Sequence, residues 1–390
     1  MTFPNLAWRR GLARAMAAGL ALLLADTVDA APAAQLKPLY DFAGKNDGMG
    51  GPVGELILGS SGLYYGVTPL GGVHTDGTIY STNLQGHTHT LHAFTYKEGD
   101  SINGPLVQTP DGSLYGTAFG GGTSGHGSVF RLAADGAFTV LNDFIGENGD
   151  TPIGGLILGS DGNLYGVAAL GGTAGLGVLY GITPSGEETV LHNFSAIGQE
   201  GNQPTGMLIE TADGALVGLT AEGGAKNGGT IFKLGSDGSY STIHSFNPRS
   251  GPCLPTGGLV DGRDGWLYGL AQACGAAGAG AVYRVKIDGT FETVHDFAGG
   301  TADGNMPAGR LDLATDGQFY GVTTEGGANN EGVVFQLAPS GGYAVLASFG
   351  GTSGERPRSG LLQTAPGQFL GAAPQGGPAA HGDTYLVKVR

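Results

Sequence analysis

Residues 152–166 read Pro152-Ile153-Gly154-Gly155-Leu156-Ile157-Leu158-Gly159-Ser160-Asp161-Gly162-Asn163-Leu164-Tyr165-Gly166. Gly155 to Leu158 is a short apolar run, and Ser160-Asp161-Gly162 stops it with a tight hairpin turn. Asn163 to Ala169 returns as a second strand. A glycine-rich loop through Gly171, Gly172, Gly175 and Gly177 leads to a third strand, Val178 to Ile182. Pro184-Ser185-Gly186 then turns the chain into a fourth, Thr189 to Phe194. The unit is four antiparallel strands, a to d.

The unit recurs through the chain. An apolar residue followed by glycine appears at Tyr65, Tyr115, Tyr165, Val217, Tyr268, Tyr320 and Leu370, with spacings of 50, 50, 52, 51, 52 and 50 residues. Two aromatic series keep the same rhythm. One is Tyr80, Phe130, Tyr180, Phe232, Tyr283, Phe335 and Tyr385; the other is Phe42, Phe94, Phe144, Phe194, Phe246, Phe297 and Phe349. Four-stranded units of this length, repeated in tandem, predict an all-β, seven-bladed β-propeller. A linear stack would expose two sheet edges, which a closed ring removes. The last repeat stops at its third strand, Leu386 to Arg390, while residues 36–42 align with a strand d. The N-terminal segment 36–42 is therefore expected to complete the last blade.

Composition agrees. The 78 glycines and 19 prolines in 390 residues exclude a helix bundle, because a glycine inside a helix costs about 1 kcal/mol relative to alanine. A net charge of -15 argues against nucleic acid and anionic lipid as partners. Arg9, Arg10 and Arg14 precede an apolar run from Ala15 to Ala25, then Val28-Asp29-Ala30-Ala31, which reads as a cleaved signal peptide over residues 1–31. Arg9-Arg10-Gly11-Leu12 also resembles a twin-arginine export signal. The expected product is a single domain over 32–390, secreted or periplasmic, monomeric, with no later membrane span.

The run typified by Pro152, Leu156-Ile157, Ser160 to Gly166, Gly171-Gly172, Val190-Leu191 and Phe194 resembles the GloVer tandem-repeat proteins of bacterial secreted and surface chains. The resemblance covers essentially the whole chain after the signal segment. It implies a propeller-like shape and no agreed activity, so no catalytic residue is carried over. Val217, Leu370 and Cys274 depart from the pattern, and no C-terminal sorting segment is seen, which favours free secretion or a periplasmic location.

Function must be sought in residues that break the repeat. Strand alternation places the d-to-a linkers and b-to-c loops on one face and the short Asp-Gly turns on the other. The loop-rich face carries acidic linker residues, among them Asp100 and Asp150, and the loop histidines His126 and His381. Loops that vary on a rigid scaffold are where sites are usually built, so these four are candidate ligand-binding residues. His381, His74 with Asp76, and His126 fall in one sector with metal-ligand chemistry, and an acidic mouth leaves room for a divalent cation such as calcium. No cofactor motif is evident. Along strand a, Glu210, Asp261, Arg310 and Asp312 replace small or apolar residues and are candidate channel-lining groups. His92, His192, His244 and His295, each two residues before a strand-d Phe, read as packing residues. Cys253 and Cys274 lie 21 residues apart in one repeat, in a linker and a b-to-c loop of the same face, and export predicts a disulfide; two buried free thiols are the alternative.

No nucleophile elbow, His-Glu-x-x-His or Cys-x-x-Cys motif is present. The preferred reading is a noncatalytic extracytoplasmic propeller that binds a polar small molecule, glycan or protein through its loop-rich face. The alternative is a propeller hydrolase or lyase acting on sugars or lactones.

Overall fold

The computed structural model describes residues 33–390 apart from 45, 46, 49 and 352; the signal segment expected over 1–31 lies outside the described residues. In the third repeat, strands a to d are Asp150–Leu158, Leu164–Leu170, Val178–Ile182 and Glu188–Asn193, joined as one antiparallel sheet in that order. The a-to-b hairpin closes through Gly159 and Asn163 at 2.8 Å, and Asp161 Oδ1 accepts the Asn163 N–H at 3.0 Å. Gly162 supplies the left-handed turn residue at φ 84°.

The protein is an all-β, propeller-like array of such units, with no α-helix among the described residues. The sheets divide into five of four strands and one of eight. The eight-stranded sheet arises because strand a of the fourth repeat, Gly201–Glu210, and strand a of the fifth, Pro252–Asp261, meet in a parallel bridge at Met207 and Gly258. On either side of that bridge lies a complete a-to-d unit.

Each strand-d phenylalanine packs edge-on against the strand-c aromatic of the following repeat. Phe94–Phe130, Phe144–Tyr180, Phe194–Phe232, Phe246–Tyr283, Phe297–Phe335 and Phe349–Tyr385 have centroid separations of 4.9 to 5.4 Å. These phenyl groups are completely buried. A single four-stranded sheet has no second layer on which to bury such a residue, so the contact joins repeats rather than stabilising one of them.

The series returns to its start. The N-terminal strand, Ala34–Asp41, pairs antiparallel with the C-terminal strand, Asp383–Val389, from Ala34↔Val389 to Asp41↔Asp383. This matches the expected closing segment within two residues. Phe42 follows it, donates its N–H to Gly382 O at 3.0 Å as Phe144 does to Gly127 O, and packs on Tyr80 of the first repeat at 5.2 Å.

Phe42 is fully buried although it comes from the chain's N-terminal end. Phe42→Ala should therefore cost about 3–5 kcal/mol in urea unfolding, as Phe194→Ala should. A loss under about 1 kcal/mol for Phe42→Ala alone would show that the closing strand is not part of the core.

Candidate functional site

The inner segments of successive repeats approach one another closely at one repeat position, occupied by Gly54, Gly104, Gly154, Gly206, Gly257, Gly309 and Ser359. A Cβ on Gly154 would run into the Gly206 carbonyl, and one on Gly257 into the Gly309 carbonyl. Both glycines also have positive φ, 84° and 74°. Backbone thus meets backbone around the axis, as the Met207–Gly258 bridge shows directly.

Where these strands begin, next to the ends of strands b, they enclose a cavity of 460 Å³. Its lining draws on strand a, or the segment leading into it, of every repeat, from Val53 to Ser359, and on Gln272 and Thr324 at the ends of two strands b. Linkers enter strand a at this end and b-to-c loops leave strand b, so the cavity opens on the loop-rich face.

One charged pair sits at its edge, with Glu55 in the lining and Arg310 and Asp312 outside it. Glu55 accepts the Arg310 backbone N–H at 3.0 Å and faces the Arg310 guanidinium at 3.5 Å, with its own side chain only 16% exposed. The contact spans from the first repeat to the sixth because Gly360 leaves no side chain between them; a Cβ there would strike Glu55 Oε1. Asp312 lies two residues along from Arg310 and accepts the Gln363 N–H at 3.0 Å. Burial raises its carboxyl, with Glu55 adding to the shift while the Gln363 amide and Arg310 oppose it. Arg358 lines the cavity, exposed and without an ion pair among the described residues, whereas Arg131, Arg284, Arg310 and Arg356 each have one.

The other sequence candidates lie elsewhere. His126 Nδ1 contacts Asp150 Oδ2 at 3.0 Å, a partly exposed pair in the outer loops. Asp100 exchanges backbone hydrogen bonds with Gly120 at 2.9 and 3.2 Å, and His381 packs against Gly44. None of these four lines the cavity. Glu210 and Asp261 are not beside Arg310 and Asp312 in one constellation. Glu210 caps the Ser160 turn of the preceding repeat, taking its N–H at 2.8 Å and its hydroxyl at 2.7 Å, and Asp261 caps Arg263 N at 2.8 Å. Gln108 and Gln363 cap the neighbouring turns at Ser60 and Thr315 in the same way. These side chains staple hairpins on the short-turn face. Among the described residues no three His, Cys, Asp or Glu side chains gather so as to hold a metal ion.

Cys253 and Cys274 form a disulfide with Cα atoms 5.4 Å apart, beside Gln272 at the cavity edge. The strand-d histidines are packing groups: His92, His192, His244 and His295 stack on Phe138, Tyr240, Phe291 and Tyr343 at 3.7 to 4.2 Å. Burial lowers His92, His192 and His244 below the usual imidazole range. Sequence reasoning missed Glu55, Arg358, Asn103 and Gln272. The available signal was Glu55 itself, which shares its repeat position with the oppositely charged Arg310.

Residues 28–159 and 152–385 match the Gloeobacter/Verrucomicrobia repeat, and the chain belongs to that family. No curated protein matches it in sequence. Among solved structures, it is similar to a chain assigned as the extracellular domain of the hybrid two component system BT3049 from B. thetaiotaomicron, at 11% identity and a TM-score of 0.57 over 88% of this chain and 40% of that one. It is also similar to the gluconolactonase XC5397 from Xanthomonas campestris, at 13% identity and a TM-score of 0.46 over 80% and 90% of the two chains. The likeness is one of fold.

The glycine ring that floors the cavity makes a sharp demand on sequence. Gly154→Ala should cost about 2 kcal/mol or more, since it adds a backbone collision to the ~1–2 kcal/mol of an unfavourable φ. Gly62→Ala, at φ 80° with nothing within 4 Å, should cost only the conformational part. Equal urea midpoints for the two variants would contradict the close approach.

Proposed function

We propose that this chain is a seven-bladed, extracytoplasmic propeller that binds a polar small molecule or glycan end group in the central cavity of its loop-rich face. The eight-stranded sheet counts as two blades, since its halves are complete units sharing one bridge. The observation that carries the reading is the 460 Å³ cavity lined by every repeat, a volume within the usual range for small-ligand sites. Glu55, Asn103 and Gln272 offer it hydrogen bonds, and Arg358 offers a guanidinium that no protein carboxylate among the described residues engages. In a chain of net charge -15, that favours a hydroxyl-rich ligand bearing a carboxylate. The disulfide favours an oxidising compartment, and no helix among the described residues is long and apolar enough to cross a membrane.

The second reading is a hydrolase or lyase acting on sugars or lactones, with a divalent cation as an optional aid. The raised carboxyl of Asp312, close to Glu55, is the feature that favours it.

Calorimetric titration with a panel of neutral sugars and sugar acids tests the proposal. Arg358→Ala should weaken binding by at least about tenfold, the loss expected when a charge-assisted hydrogen bond is removed, while Glu210→Ala and Asp261→Ala leave it unchanged. Loss of binding only in the short-turn variants would place the site on the opposite face. Turnover abolished by Asp312→Asn with binding intact would establish the second reading.

A further inference from the structure

The last repeat departs from the others at two positions that meet on the seam between the chain's ends. In five repeats, the residue after the glycine pair of the b-to-c loop, or after Cys274-Gly275 in the fifth repeat, donates its backbone N–H to the side chain ending strand d. The donors Thr123, Thr173, Ala225, Ala276 and Ala328 reach Asp143, Asn193, Ser245, Asp296 and Ser348 at 2.9 to 3.3 Å. In the last repeat the donor position is Pro378, which has no N–H. The accepting side chain there is Asp41, supplied by the N-terminal strand. Its Oδ2 takes the Ala379 N–H at 2.9 Å, but its Oδ1 is buried without a partner.

The second departure is Asp383. It opens strand c at a position held by Thr78, Ser128, Val178, Thr230, Ala281 and Val333 in the other repeats, all neutral. Ser128 there donates to the Glu98 carbonyl at 2.6 Å. Asp383 is 0% exposed, and neither of its oxygens has a hydrogen-bond partner. It is the register partner of Asp41, and both side chains face Gly377. Two ionised carboxylates would leave three dry oxygens unmatched beside a second negative charge, which is strongly unfavourable. Gly354 packs so closely against Asp383 Oδ1 that it could not carry a Cβ, and valine fills the position elsewhere, so the site is sized for a proton rather than a coordinated ion.

We infer that Asp383 is a proton-binding site at the seam, held as the neutral acid and donating its O–H to Asp41 Oδ1 in place of the N–H that Pro378 lacks. Burial, reinforced by the charge on Asp41, pushes the Asp383 carboxyl up to about 8. The titratable and charged groups on the surrounding elements are Lys37, Tyr40 and Asp41 on the N-terminal strand, Tyr385 and Lys388 on the C-terminal strand, Glu355, Arg356 and Arg358 in the linker, and His381 in the b-to-c loop; Gln368–Ala373 carries none. Arg356 is engaged by Glu331 at 3.2 Å.

The sign follows from linkage. An unfolded aspartate titrates near 3.8, below the folded Asp383, so between these limits unfolding releases a proton and stability falls as pH rises. Above about pH 8 the loss is complete. Asp383→Asn retains a donor toward Asp41 and does not titrate. Relative to wild type, its folding equilibrium should therefore improve by about tenfold per pH unit from about pH 5 to about pH 8, then level off. Taking the difference between the two proteins cancels the histidines and other shared groups. Wild type at about pH 7 should also show the infrared carbonyl stretch of a protonated carboxylic acid, a measurement that needs no variant to fold. Parallel stability profiles, absence of that band at neutral pH, or a bound metal whose removal lowers wild-type stability but not that of Asp383→Asn would each overturn the inference.

Discussion

Everything in this structure depends on an edge-on contact between two aromatic rings belonging to different repeats. A four-stranded sheet of this length cannot bury a phenylalanine on its own, and each strand-d Phe finds cover only against the strand-c Phe or Tyr of the next unit. Such pairs contribute about 0.5–1.5 kcal/mol beyond the area they bury. Their larger effect is topological, because a repeat that needs its successor needs the last one to meet the first. The Phe42–Tyr80 contact meets that requirement with a residue from the opposite end of the chain.

Closure has an inward consequence. Where the inner segments of successive repeats converge there is no room for side chains, which is why glycine holds the repeat position at Gly54, Gly104, Gly154, Gly206, Gly257 and Gly309, and serine at Ser359. Above that ring the strands diverge and the cavity opens. Charge enters its lining only where the repeat permits a departure, at Glu55 and Arg358, with Arg310 behind Glu55. A binding site here is thus a local exception on a frame whose other positions are fixed by packing.

The frame was legible because the aromatic and glycine series repeat with nearly constant spacing, and because residues 36–42 look like a strand d lacking a sheet. The site was legible only in part. Their replacement of apolar repeat residues on the inner strand suggested that Glu210 and Asp261 line the channel, but the pairing of strands a and b shifts register between Thr205 and Ile209 and between Thr256 and Val260. Facing can no longer be counted across that irregularity, and both carboxylates end as turn caps. Glu55 was hidden for the opposite reason. Its significance lies in Arg310, 255 residues away, and no local pattern joins them. The packing role read for the strand-d histidines held because a residue recurring in several repeats is explained by whatever recurs around it, here the stacked aromatic of the next strand d.

The central claim is that the N-terminal strand is an integral part of a closed ring. Hydrogen–deuterium exchange of the backbone amides over Ala34–Asp41 tests it most directly. The account predicts protection matching that of the strand-d amides in the interior repeats, such as Glu188–Asn193, because both are the fourth strand of a sheet bearing a buried phenylalanine. Rapid exchange over Ala34–Asp41, with the other sheets protected, would contradict it.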